Sequence, residues 1–233
     1  MPGVEDLGAA VARAIAFCSS SREAQALVWL EHMHRRFGIP AFAGSLRRFD
    51  RLLAEQPQEA PKLRLFRRIA DPGSTLRFED LQSVSHPSDG IIVSALYCDR
   101  LELPPSFGDL LSDAVRAGGY YCTHALLAWV WLQEYGGGVG VPAGFVEDLL
   151  RANAAIVNDD TSVVTDLKLE AAAFLCLAGE GARVDAAFVA TVLKRQNDDG
   201  GWGMTRKQPG ISDWHGTVLG LMLLLHVREA QNA

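Results

Sequence analysis

Residues 188–203 read "FVATVLKRQNDDGGWG" and carry the clearest signal of local structure in the chain. It opens with apolar residues at helical spacing and closes with a polar run, two glycines and a tryptophan. Gly200 and Gly201 favour a tight turn over continuation of the helix. Because Trp202 is costly to expose to water, we expect the turn to pack its indole onto another part of the chain. The segment therefore predicts a helix whose end is docked on a neighbour.

The same helix start occurs at two earlier places in the chain. Three amphipathic segments, "PPSFGDLLSDAV", "PAGFVEDLLRAN" and "DAAFVATVLKRQ", align without gaps on Phe107, Phe145 and Phe188. A second kind of segment, apolar on nearly all faces, follows each one: "YCTHALLAWVWLQ", "TDLKLEAAAFLCLA" and "SDWHGTVLGLMLLL". Cys122, Asp166 and Asp213 open these segments and recur after roughly 45 residues. The pattern predicts a helical-hairpin repeat with one amphipathic and one buried helix per unit.

The N-terminal half follows the same scheme less regularly. Residues 22–38 and 89–103 read as further buried helices and residues 45–56 as an amphipathic one, while the proline-rich residues 56–88 have room for one short outer helix. Such hairpins can stack as an open solenoid or close into a ring. We expect an all-α chain of one domain, residues 1–233, that forms a complete or incomplete α/α toroid.

Composition excludes several classes of protein. The 233 residues are 48% apolar and carry a formal charge of −6, without the basic footprint that nucleic-acid binding needs. The longest apolar runs, "ALLAWVWL" and "LMLLL", are too short to span a bilayer. The first residues include early acids and no basic segment of the kind that opens a signal peptide. Four scattered cysteines then favour free thiols, and we expect a soluble cytoplasmic protein.

The opening stretch resembles the QW repeat of the squalene–hopene cyclase and protein prenyltransferase superfamily. Phe188, Val189, Gln196, Gly201 and Trp202 match that motif in order. The resemblance implies an α/α toroid in which the glutamine lies against the tryptophan and caps the neighbouring inner helix. It extends over about 40 residues in one repeat unit, and it bears on fold more than on chemistry.

The polar residues of the buried segments indicate where a site would lie. In a toroid the inner helices run in one direction, so their N-terminal ends meet at one mouth of the ring. Three residue pairs with the spacing i, i+2 occupy these ends: Cys122 and His124, Asp166 and Lys168, Asp213 and His215. Farther along these helices the pattern reads as apolar. We therefore expect the titratable groups of a site to cluster at this mouth.

A zinc site is one prediction for that mouth. The segment "ISDWHGTVLGL" resembles the part of protein prenyltransferase β subunits that supplies a zinc-binding histidine, which would be His215. The family's Asp-x-Cys pair corresponds to Asp166 and Lys168, so the thiolate is lost. Cys122 and His124 could replace it, and three such ligands with a water make an open catalytic site. The alternative is that these residues cap helices or pack in the core.

The site prediction assigns a role to each residue. Cys122, His124 and His215 are the predicted zinc ligands, with Asp166 and Asp213 as fourth ligand, orienting group or base. Lys168 would stabilise a developing anion, or else form an ion pair with Asp166.

A second acid motif is less complete. "IVNDDTSVV" is similar to the Asp-x-Asp-Asp acid of class II terpene cyclases, but its first position is Val157. The repeat alignment puts Asp159 and Asp160 in a turn between helices, where a solvated loop with Asp160 or Thr161 as helix N-cap is the simpler interpretation.

Two functions remain open from the sequence. The first is a terpene cyclase- or prenyltransferase-like enzyme, metal-dependent or acid–base, that acts as a lyase, cyclase or transferase on an apolar or isoprenoid-like small molecule. The second is a non-catalytic toroid that binds a partner protein or a hydrophobic ligand. A catalyst needs convergent mouth residues with perturbed pKa values, whereas a scaffold tolerates their loss.

Overall fold

The computed structural model describes residues 4–203 and 210–232. The α-helices of these residues are α1 (Val4–Ser19), α2 (Ala24–Phe37), α3 (Ser45–Glu55), α4 (Ala60–Phe66), α5 (Pro87–Leu96), α6 (Phe107–Ala117), α7 (Gly119–Tyr135), α8 (Phe145–Asn158), α9 (Asp166–Leu177), α10 (Ala186–Lys194) and α11 (Trp214–Asn232). Short 3-10 turns lie at Pro40–Phe42, Arg67–Ile69, Phe78–Ser83 and Gly181–Arg183. The described ranges contain no β-strand beyond one isolated bridge between Trp202 and Asp213. The all-α prediction is confirmed.

The helices form two rows that lie against each other. Along the inner row α5 contacts α7, α7 contacts α9, α9 contacts α11 and α11 contacts α2. Along the outer row α6 contacts α8, and α1 contacts α10. Four contacts join the two rows. With the outer helix named first, they are α6–α7, α8–α9, α1–α11 and α3–α2. The pairs α6–α7 and α8–α9 are hairpins that the repeat predicts, whereas α11 packs mainly on α1 instead of on α10. Closure of the rows into a ring stays a prediction.

The residues that define the hairpin repeat are buried in the structure. Phe107, Phe145 and Phe188, which align the three amphipathic segments, all lie in the core and are 4% exposed or less. The second helix of each pair is buried along most of its length, as in Leu221 to Leu225 of α11. A helix with apolar residues on all faces must be covered on all faces, so it can only occupy the inner row.

The N-terminal half agrees with the sequence in part. Helices α2 and α3 lie where the pattern predicts them, but α5 ends at Leu96 although the predicted segment runs to residue 103. Helix α1 was not predicted, and it completes the outer row beside α10 and α11. The proline-rich residues 56–88 hold α4, as expected. However, Phe66 at the end of α4 lines a central cavity, so this helix does not belong to the outer row alone.

The turn after α10 is a structural junction, and Trp202 is its centre. The indole is 1% exposed. Its Nε1–H donates to Val192 O of α10 at 2.8 Å, and its backbone N–H donates to the Thr217 hydroxyl of α11 at 3.1 Å. Gly220 of α11 lies against the ring, because a Cβ at this position would come within 2.8 Å of it. Trp202 therefore joins an outer helix to an inner one.

Gln196 has a different partner from the one that the family resemblance implies. Its side-chain Nε2 donates to Ala10 O of α1 and to Gly200 O, both at 2.8 Å, and its Oε1 accepts from Arg13. The glutamine thus ties the turn to the outer helix α1 instead of capping inner helix α11. Gly200 makes this approach possible. It has φ of 91°, and a Cβ there would lie 2.5 Å from Arg13 O.

The sequence predicts that its apolar runs are too short to span a bilayer. Within residues 4–203 and 210–232, no helix combines the length and the apolar character needed to cross a bilayer.

Candidate functional site

A cavity of about 120 Å³ lies where the inner helices begin. Helices α2, α5, α7, α9 and α11 all contribute residues, most of them from the N-terminal halves of the helices, and Phe66 and Ile69 add a wall from α4 and the following turn. The N-terminal ends of the inner row therefore meet at one place. The titratable side chains that line the cavity are Asp89, His124, Glu170 and His215.

His215 and Asp166 form a hydrogen-bonded pair at this cavity. Asp166 is the first residue of α9, preceded by Thr165 as N-cap, and His215 is the second residue of α11. The His215 Nδ1 atom lies 2.7 Å from Asp166 Oδ1, and the Tyr120 hydroxyl donates to Asp166 Oδ2 at 2.7 Å. Burial alone would raise the pKa of Asp166, but the hydrogen bond and the charge of His215 outweigh it and lower the pKa.

Glu170 lies between the two imidazoles of the site. Its side chain is 4% exposed. Its Oε1 accepts the Thr123 hydroxyl and lies 3.3 Å from His124 Nδ1. Its Oε2 lies 3.9 Å from His215 Nε2, which is beyond hydrogen-bond distance. Glu170 connects His124 on α7 to the Asp166–His215 pair.

Glu170 was not predicted as a site residue. The prediction that helix α9 is apolar beyond its first residues was wrong. The available signal was the spacing of Asp166 and Glu170, which are four residues apart and therefore share one helix face.

Both histidines have raised pKa values. For His124 burial alone would lower the pKa, but the hydrogen bond and negative charge of Glu170 outweigh it, with a contribution from Tyr120 O at 2.6 Å. For His215 burial again acts downward, and Asp166 followed by Glu170 raises the pKa above its usual 6.5. The carboxylates of Asp166 and Glu170 thus favour the protonated form of these two half-buried imidazoles.

These shifts predict a pH-dependent stability. A histidine whose pKa is raised by folding stabilises the native state fully below its unfolded pKa of 6.5, and this contribution is lost as pH rises through the native pKa. We expect the difference in free energy of unfolding between the unmodified protein and His215→Gln to fall from pH 6 towards pH 9. Urea titrations at both pH values measure this difference. An identical pH dependence in the two proteins would contradict the shift.

Cys122 lies on the opposite side of α7 from the cavity. Its thiol is buried and accepts a hydrogen bond from Asn153 Nδ2 of α8 at 3.3 Å. Burial raises its pKa to about 11, so the group stays a thiol near neutral pH. Residues i and i+2 are about 200° apart around a helix, so Cys122 and His124 cannot face one point.

The predicted zinc ligands are therefore not assembled as a set. His124 and His215 both approach Glu170, whereas Cys122 points into the outer row. In the part of the chain that the structure describes, no group of three or more His, Cys, Asp or Glu side chains is arranged to hold a metal ion. Cys122 therefore does not meet His124 and His215 as the third ligand of a zinc ion. Metal analysis of protein purified without a histidine tag tests the zinc prediction directly.

Lys168 and Asp213 have local structural contacts. The Lys168 ammonium donates to Val157 O at 3.3 Å and to Asp160 O at 2.6 Å, at the end of α8. It caps that helix instead of pairing with Asp166 or reaching the cavity. Asp213 precedes α11, where its carboxylate accepts the Gly216 N–H at 2.9 Å, as an N-cap does.

The Asp159–Asp160 motif lies in a turn, as the repeat alignment predicts. The Asp160 carboxylate accepts the backbone N–H of Ser162 at 3.0 Å and its hydroxyl at 2.6 Å. These bonds lower the pKa of Asp160, which favours the ionised form over the protonated acid that a class II cyclase uses. The N-cap of the next helix is Thr165, so the expectation of Asp160 or Thr161 there was wrong.

Comparison with known proteins gives no relative of this chain. No family model, no curated protein and no solved structure matches it.

Proposed function

We propose that this protein is an acid–base enzyme that acts on a small, largely apolar molecule at the cavity between the inner helices. The observation that carries the proposal is the hydrogen-bonded Asp166–His215 pair beside Glu170 and His124, at the edge of a cavity that is partly walled by aromatic and aliphatic side chains. Perturbed titratable groups that converge in a cleft are typical of catalytic sites.

His215 has the arrangement of a general base. When its Nδ1–H donates to Asp166 at 2.7 Å, the ring is held in the tautomer whose lone pair is on Nε2. That nitrogen faces the cavity side, 3.9 Å from Glu170 Oε2. Asp166 also stabilises the imidazolium that forms when Nε2 takes a proton. The raised pKa makes His215 a stronger base than free imidazole.

His124 is placed to supply the matching acid. Its raised pKa favours the imidazolium, and Glu170 stabilises that charge from 3.3 Å. One neutral and one protonated imidazole on either side of Glu170 would allow a proton to leave one atom of a substrate and arrive at another. Proton transfer of this kind serves isomerases, lyases and cyclases.

The volume of the cavity limits the substrate. An engineered apolar cavity of about 150 Å³ binds one benzene molecule, so a cavity of about 120 Å³ accepts a molecule or a group of similar or smaller size. An isoprenoid chain, as the family resemblance implies, would have to extend farther. A polar groove of about 750 Å³ adjoins the cavity and shares Gln25 and Trp214 with it. A terpene cyclase- or prenyltransferase-like reaction is therefore part of this proposal only if the group that reacts is small enough for the cavity and the rest of the substrate lies in the groove.

Deuterium incorporation tests the proposal without a known substrate. The purified protein is incubated in D₂O with a panel of small ketones, with and without an amino group, and C–H exchange is followed by NMR. We expect exchange of at least one compound to be about 100-fold or more faster than with free imidazole at the same concentration. Rates equal to those of imidazole throughout would instead favour the non-catalytic alternative, a toroid that binds a partner or a hydrophobic ligand.

A further inference from the structure

The apolar part of the cavity wall is rich in aromatic rings. Trp29 of α2, Phe66 of α4, Phe174 of α9 and Trp214 of α11 all line it. The Trp29 and Phe174 rings are stacked, with centroids 6.3 Å apart and planes inclined by 28°. Aromatic faces carry negative electrostatic potential, and a box of such faces attracts a cation more than a neutral group of the same shape.

The charged part of the wall favours the same kind of ligand. Among the described residues, no lysine or arginine lines the cavity, whereas Asp89 and Glu170 do. Lys62 pairs with Asp89, its Nζ 2.8 Å from Oδ2, so that carboxylate is already compensated. The imidazoles of His124 and His215 also face Glu170. Of the two carboxylate oxygens only Oε1 lies within hydrogen-bond distance of an imidazole, that of His124. Glu170 Oε2 is left with its nearest ionic partner 3.9 Å away.

We propose that the cavity binds a small alkylammonium cation, held by the aromatic side chains of Trp29, Phe66, Phe174 and Trp214 and by the carboxylate of Glu170. This inference rests on the proposed function, because it names the substrate class of that same site. The Thr123 hydroxyl and the His124 imidazole compensate Oε1 of this buried carboxylate, and a cation against Oε2 would do the same for its second oxygen. The volume of about 120 Å³ suits a tetramethylammonium-sized group, and the aromatic walls suit its apolar methyl groups.

A pair of probes with one shape and different charge tests the inference. Binding of tetramethylammonium chloride and of tert-butanol, its neutral counterpart, is measured by NMR at equal ionic strength. We expect the cation to bind about tenfold more tightly or better. Equal affinities, a preference for tert-butanol, or no binding of tetramethylammonium would each overturn the inference.

Two variants assign the binding to the named residues. Glu170→Gln should weaken tetramethylammonium binding about tenfold and leave tert-butanol binding unchanged. Phe66→Leu replaces an aromatic ring at the cavity by an aliphatic group and should weaken cation binding about threefold or more. It serves as the second measurement if Glu170→Gln does not fold. Unchanged cation binding in a folded variant would contradict that residue's role and overturn the proposed cage.

The outcome can be separated from that of the proposed function. Tetramethylammonium has no N–H proton to transfer to His215, so its binding reports on the aromatic and carboxylate walls alone. Catalysed deuterium exchange without selective cation binding would leave the acid–base function standing and overturn the ligand class. Selective cation binding without catalysed exchange would support the ligand class and remove the enzyme proposal.

Discussion

Replacing Trp202 by alanine is expected to lower the free energy of unfolding by about 3 to 5 kcal/mol, the usual cost of emptying a buried aromatic site. The indole is 1% exposed, lies against Gly220 and joins α10 to α11 through two hydrogen bonds. The cavity left behind cannot close easily, because the surrounding helices are fixed to each other through the rest of the core. The measurement is urea denaturation, read from the midpoint at constant slope.

Tyr121→Ala is the matched control for this change. Tyr121 is also a large aromatic residue, but it is 42% exposed, so its replacement should change stability by only about 0.5 kcal/mol. Trp202→Phe should fall between the two, since it keeps most of the packing and loses the bond to Val192 O. If Trp202→Ala unfolds at the same urea concentration as the unmodified protein, the turn does not hold the two rows together.

Replacing His215 by glutamine is expected to lower catalysed proton exchange by about 100- to 10,000-fold, the range that a general base contributes. Glutamine can still donate a hydrogen bond to Asp166, but it cannot accept a proton near neutral pH. The helices around it are unaffected, because the His215 side chain is 38% exposed and packs at the cavity edge. Deuterium incorporation followed over a pH series from 6 to 9 measures the loss.

His34→Gln controls for the loss of an imidazole elsewhere in the chain. His34 lies on α2 and hydrogen-bonds Ile39 O, away from the cavity lining, so exchange should be unchanged. Circular dichroism and urea denaturation verify that both variants are folded. Full exchange activity in folded His215→Gln would refute its role as the base and return the cluster to a structural role.

The sequence alone determined the helical framework. The alignment on Phe107, Phe145 and Phe188 and the all-apolar segments that follow predicted hairpins with a buried second helix. The structure has two of them, α6–α7 and α8–α9, while α11 packs on α1. This information is local, because helical periodicity and burial on all faces follow from residues a few positions apart. In the same way, the polar residues at the starts of the inner helices predicted where a site would lie. Helix α1 was not identified, since its sequence lies outside the aligned repeat.

The packing of the helices sets which side chains form the site. Cys122 and His124 are two residues apart, and helix packing turned the histidine to the cavity and the thiol to α8. Lys168 is close to Asp166 in sequence, yet its long side chain reaches back to α8. Glu170 acquired its place only because α7 and α11 put an imidazole on either side of it. Residue spacing sets which residues share a face, but the partner of that face is set by contacts between segments far apart in the chain.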